Sequence, residues 1–143
     1  MPDAPPFRRI ALIGIGLVGS SLARVVRRDG LADHVAVCAR TEKSLATAAR
    51  LGLGDSFTSE PRAAAEDADL VVLCTPLGVY SEIAAAIAPA LAPGVIVTDV
   101  GSVKSSAIRD IAPHLPAGVH FVPGHPVAGT EHSGPEAGFD TLF

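Results

Sequence analysis

Three short clusters carry the residue types of a chemical site. Gly14, Gly16 and Gly19 stand in the spacing G-x-G-x-x-G. Gly101-Ser102-Val103-Lys104 sets a hydroxyl and an ammonium close together, and Gly124-His125-Pro126 holds an imidazole between a glycine and a proline. Each glycine of the first cluster has its own use. Gly14 permits a sharp strand-to-helix turn, Gly16 has no Cβ and lets a pyrophosphate approach the backbone, and Gly19 seats the helix tightly on the strand. Leu17 and Val18 then open that helix, whose free N–H groups and positive dipole end suit phosphates. An imidazole changes charge near neutral pH, so His125 suits a proton acceptor. Bland meanings exist: a βα turn without a ligand, Ser102 as a helix cap, Lys104 as a surface charge, His125 as a structural residue. Two polar clusters at neighbouring strand ends, beside a phosphate turn, favour chemistry.

The elements that must position these clusters alternate strand and helix. Apolar runs at Ile10–Ile13, Val35–Ala39, Leu70–Cys74, Val95–Thr98 and Val119–Val122, with a shorter one at Ser56–Thr58, predict six strands. Between them, helical patterns run over Leu17–Arg28, Ser44–Leu51, Pro61–Glu66, Tyr80–Leu91 and Ser105–Ile111. Gly30 and Gly52 close the first two, Thr41 caps the second, and Pro61 opens the third. A regular βαβ alternation with short connections predicts an α/β fold: a doubly wound, mostly parallel sheet of the Rossmann type. Met1 to Phe7 is short and proline-rich and reads as a disordered tail; residues 8–143 read as one dinucleotide-binding domain.

Ligands of such sheets lie beyond the carboxyl ends of the strands, so the residues just after each strand are informative. After the second strand stand Arg40 and Thr41 rather than the acidic residue that would accept ribose hydroxyls. A guanidinium fork and a hydroxyl suit a 2′-phosphate, which makes NADP the expected cofactor and NAD the alternative. After the fourth strand, Thr75 and Pro76 shape a loop along the cofactor's ribose. After the fifth, Gly101 and Ser102 fall near the nicotinamide.

Composition excludes several classes. Net charge is −4, which argues against nucleic acid as a partner. No apolar run approaches the ~20 residues of a membrane span, and the N-terminus lacks the charged and apolar regions of a signal peptide. Cys38 and Cys74 lie in strand-like runs and read as reduced core residues of a cytoplasmic chain, with no metal site expected.

Taken together, Gly14-Ile15-Gly16-Leu17-Val18-Gly19-Ser20-Ser21-Leu22-Ala23, Thr98-Asp99-Val100-Gly101-Ser102-Val103-Lys104 and Gly124-His125-Pro126-Val127-Ala128-Gly129-Thr130-Glu131-His132-Ser133-Gly134 resemble prephenate/arogenate dehydrogenases of tyrosine biosynthesis. The resemblance spans Arg8 to Phe143. It implies oxidative decarboxylation of a cyclohexadienyl substrate, prephenate or arogenate. Ser102 and His125 would contact the substrate hydroxyl, and Thr130 and Glu131 would line the substrate pocket. It further implies a helical second domain that makes a homodimer and binds the substrate carboxylates. The sequence stops at Phe143, so the expectation is a piece of a longer protein, able to bind nucleotide but inactive alone. Two other readings stay open: another NADP-linked imine or β-hydroxyacid reductase, and a nucleotide-sensing domain without catalysis.

Overall fold

The computed structural model describes residues 3–126 and 134–142. Its centre is β1 (Phe7–Ile13), flanked by β2 (Ala32–Cys38) on one side and β4 (Leu70–Leu73) on the other. With β3 (Ser56–Thr58), β5 (Ile96–Asp99) and β6 (His120–Val122), the order across the sheet is β3-β2-β1-β4-β5-β6, and each neighbouring pair is parallel. The helices are α1 (Leu17–Asp29), α2 (Glu42–Arg50), α3 (Pro61–Ala65), α4 (Tyr80–Ile87) and α5 (Lys104–Ile111). This is the Rossmann arrangement expected from the alternation.

Side-chain alternation along β1 shows why the run is wholly apolar. Ile10 and Leu12 pack with Ala23 and Val26 of α1 and Ala48 of α2. Ala11 and Ile13 face the other way, into a cluster holding Ala64 and Ala65 of α3, Tyr80, Ala84 and Ile87 of α4, and Ala107 and Ile111 of α5. Two helical layers bury both faces, so no position between Ile10 and Ile13 is left for a polar residue.

Local signals set most boundaries. Gly30 adopts φ +62° and donates its N–H back to α1, closing it. Thr41 Oγ1 accepts from Ser44 N at 3.1 Å and caps α2. The helix expected over Tyr80–Leu91 stops instead at Ile87 and tightens into a 3₁₀ turn at Ala88–Ala90. Pro89 is the cause: it has no N–H to donate and its ring would strike a carbonyl of the preceding turn. β1 and β2 begin three residues earlier than the apolar runs suggest. Phe7, placed by the sequence in the tail, is the first residue of β1; it pairs with Ala32, and its N–H donates to Leu31 O at 3.2 Å.

The register aligns the carboxyl ends of the strands. Ile13 lies opposite Cys38 and Leu73, Leu73 opposite Asp99, and Thr98 opposite Val122. Chain order reverses direction between β1 and β4, which opens a crevice at that point of the rim.

Candidate functional site

Gly14 turns the chain out of β1 with φ +102°, a conformation that favours glycine. A Cβ there would also lie 2.9 Å from the Cys74 carbonyl carbon. Gly19 rests on the turn so closely that a Cβ would sit 2.3 Å from Gly14 O. Gly16, which precedes α1, differs: no atom of the described residues lies within 4 Å of where its Cβ would be. The three glycines therefore divide into two that close the turn and one that leaves space beside it.

That space belongs to an open cleft of about 700 Å³ at the β1/β4 crevice. Its walls include Gly14 and Gly16 from the turn, Arg40 and Ser44 from the far end of β2 and the start of α2, and Thr75 and Pro76 from the loop after β4. Two observations test whether a nucleotide fits. No side chain caps α1 and its first turn holds no acid, so the positive end of the helix is left for an anion. Thr75 Oγ1 is buried without a hydrogen-bond partner among the described residues, an orphan that a ligand hydroxyl or phosphate would satisfy. Both features suit the group.

Expected cofactor residues do not all reach the cleft. Gly14, Gly16, Arg40, Thr75 and Pro76 line it. Leu17, Val18 and Gly19 form the first turn of α1, beside it. Thr41 is not among the lining residues, and its hydroxyl oxygen accepts from Ser44 N as the cap of α2; Ser44, three residues on, is on the wall. The only sequence signal for Ser44 is its position one helical turn beyond a cap. Gly101 stands away from the cleft among the residues around Asp99.

Ser102 and His125 are both exposed at the same rim, on the loops that follow the paired strands β5 and β6. Asp99, which no local sequence signal singles out, ties the two loops together. Its carboxylate accepts from Gly101 N at 2.9 Å and Gly124 N at 3.2 Å, the amides just before Ser102 and His125. Tyr80 Oη donates to it at 3.2 Å, and Lys104 Nζ at 2.5 Å. Burial, reinforced by the Asp99 charge, pushes the Tyr80 hydroxyl well above the ordinary phenol range, so it stays a donor. Thr130 and Glu131 lie outside the described residues.

Both cysteines are free thiols and both line the cleft. Cys38 is buried as expected, but Cys74 is only partly so. Burial, with the charge of Glu60, pushes Cys38 up to about 11; burial, with Asp99, pushes Cys74 up to about 12. Neither supplies appreciable thiolate at neutral pH. Iodoacetamide at pH 8 should therefore leave both unmodified in the folded protein and alkylate both after denaturation, read by intact mass. Rapid labelling of either native thiol would contradict this account.

A glycine turn at the switch point of a parallel sheet, with a helix N-terminus aimed into a cleft, defines a nucleotide-binding domain of the Rossmann class. Comparison with known proteins specifies it further. The family model described as prephenate dehydrogenase, nucleotide-binding domain, matches residues 22–143. The cyclohexadienyl dehydrogenase of Zymomonas mobilis subsp. mobilis is 44% identical over 137 residues, covering 96% of this chain and 46% of the relative. The crystal structure of prephenate dehydrogenase from A. aeolicus, in complex with hydroxyphenyl propionate and NAD+, superposes with a TM-score of 0.87 at 33% identity, covering 95% of this chain and 47% of that one. Synechocystis arogenate dehydrogenase gives a TM-score of 0.84 at 30% identity, over 94% and 46% of the two chains. The chain belongs to the prephenate dehydrogenase nucleotide-binding domain family and spans less than half the length of these relatives.

Proposed function

We propose that residues 8–143 belong to the dinucleotide-binding domain of a cytoplasmic dehydrogenase of tyrosine biosynthesis, one that oxidatively decarboxylates prephenate or arogenate with NADP. The observation that carries this reading is the meeting, on one rim, of the glycine-turn cleft and the two loops held by Asp99. A protein that only sensed nucleotide would have no use for the second feature. The relatives' names agree with such a dehydrogenase, and the NAD+ bound in the A. aeolicus structure agrees with a nicotinamide dinucleotide as its cofactor.

When bound, the nicotinamide supplies the acceptor for a hydride from the ring carbon that bears the substrate hydroxyl. The chain's own residues do the remainder. His125 accepts the hydroxyl proton as the hydride leaves, and must be neutral to do so. Ser102 hydrogen-bonds the hydroxyl or the imidazole and fixes their alignment. Thr130 and Glu131 line the substrate pocket. The ring carboxylate departs as carbon dioxide, its electrons pass through the ring onto the oxygen, and the ring becomes aromatic as the His125 imidazolium returns the proton to that oxygen. In the full-length protein a following helical domain pairs two copies and takes the substrate carboxylates.

Arg40 supports NADP over NAD. It stands on the cleft wall where an acid would bind ribose hydroxyls, with the Ser44 hydroxyl on the same wall. A guanidinium–phosphate contact is worth roughly 1.5–3 kcal/mol, or about 10–100-fold in affinity. Arg40→Asp should weaken NADP+ binding by that factor and improve NAD+ relative to it, measured by titration calorimetry and by KM for each cofactor. Unchanged preference would remove the NADP assignment. The reading as a whole is tested by supplying the full-length protein with prephenate or arogenate and NADP+ and following absorbance of the reduced cofactor. No turnover with either substrate, on either cofactor, would overturn it.

A further inference from the structure

We infer that Asp99 is a positioning residue, whose buried carboxylate sets the separation of Ser102 and His125 by holding the amide that precedes each. This rests on the reading of Ser102 and His125 as the catalytic pair. The Asp99 side chain is 0% exposed and binds donors from four places: the loop after β5, the loop after β6, α4 and α5. Its two oxygens divide the task. Oδ2 takes Gly101 N and Oδ1 takes Gly124 N, so one rigid planar group fixes both loops. Lys104 adds a second link, since its Nζ donates both to Asp99 Oδ2 and to Gly124 O. Both of the held positions are glycines for a steric reason. A Cβ on Gly101 would lie 2.8 Å from Tyr80 Oη and 3.0 Å from Asp99 Oδ2, and one on Gly124 would lie 2.7 Å from Asp99 O. The loops can close on the carboxylate only without side chains there.

A buried ion pair adds little net stability, because desolvation offsets the attraction. What it does is fix relative position, and reaction rate is sensitive to position: a misplacement of about 1 Å can lower a rate roughly 100-fold. In Asp99→Asn, an amide NH₂ must face the Gly101 N–H and the Lys104 ammonium, or turn to face Gly124 N–H. Either way the spacing of the two loops relaxes.

The test uses the full-length enzyme, with the dinucleotide Kd by titration calorimetry measured beside kcat and KM. Asp99→Asn should lower kcat about 100-fold, with Kd for the dinucleotide within about 2-fold of wild type. Should that variant not fold, Lys104→Met serves in its place, since the Lys104 side chain is 30% exposed and the Asp99 carboxylate keeps its donors from Tyr80, Gly101 and Gly124. Lys104→Met should lower kcat by about 10-fold, and Lys104→Arg, which keeps the charge and the donors, should restore most of it. A residue that merely filled space would be served equally by Met and Arg. The decisive measurement is coupling: added to His125→Asn, Lys104→Met should lower kcat little further, because both act through one imidazole. Full additivity, or near-wild-type kcat in Asp99→Asn or Lys104→Met, would overturn the assignment while leaving the dehydrogenase reading intact. A wild-type enzyme inactive on both substrates would overturn the reading and this inference together.

Discussion

Gly16→Ala should fold and melt like wild type but bind dinucleotide at least about 10-fold more weakly, whereas Gly19→Val should lose binding and melt at a markedly lower temperature. The two glycines share a motif, and the geometry separates their functions. A Cβ on Gly16 would meet no atom of the described residues within 4 Å, so the added methyl has room in the free protein and would occupy only the space that the proposed placement gives to the pyrophosphate. A Cβ on Gly19 would lie 2.3 Å from Gly14 O and 3.3 Å from Cys74 Cβ. The nearest obstacle is backbone and cannot step aside by changing rotamer. α1 must lift from β1, which loosens Ala23 and Val26 against Ile10 and Leu12 and swings the helix N-terminus off the crevice. Overpacking of this kind costs about 1–3 kcal/mol, and valine stands at the upper end. Thermal melts and titration calorimetry on both variants check the contrast. Unweakened binding by Gly16→Ala would show that the pyrophosphate does not approach that backbone, and the placement of the cofactor would have to be abandoned.

The parts of this fold that are legible in the sequence are those where one local signal decides the outcome. The apolar run Ile10–Ile13 has to be a doubly covered strand; Thr41 and Gly30 mark helix ends by chemistry that acts within a few residues. Legibility fails where the outcome depends on a neighbour. The first halves of β1 and β2 carry Arg8, Arg9, Asp33 and His34, and they are strands because each supplies the other's backbone partners, with Arg9 opposite His34. Charge alone would make both segments loops; the ladder overrides it. Arg8 and Arg9 are accommodated by distant groups: Arg8 binds Asp69 through its amide and its guanidinium, and Arg9 reaches the carbonyl of Ala64 at the end of α3. The candidate site divides in the same way. The glycines, Ser102 and His125 are visible as local clusters. Asp99 is not, because its meaning lies in donors from positions 80, 101, 104 and 124, which only the β4-β5-β6 order brings together. Thr41 is legible as the cap of α2, whereas the presence of Ser44 on the cleft wall, one helical turn on, is not.

His125→Asn should lower kcat by about 10²–10⁴-fold, the usual worth of a positioned proton acceptor, while the dinucleotide Kd stays near wild type. His125 is exposed on the loop after β6 and is not among the residues that line the cleft, so its replacement leaves those walls unchanged. Asparagine retains hydrogen-bonding capacity and comparable size but cannot take up a proton at working pH. The substitution therefore isolates proton acceptance from packing. Near-normal kcat would remove His125 from the chemistry altogether, and with it the reason for Gly124 to be held one residue away by the same carboxylate that holds Gly101.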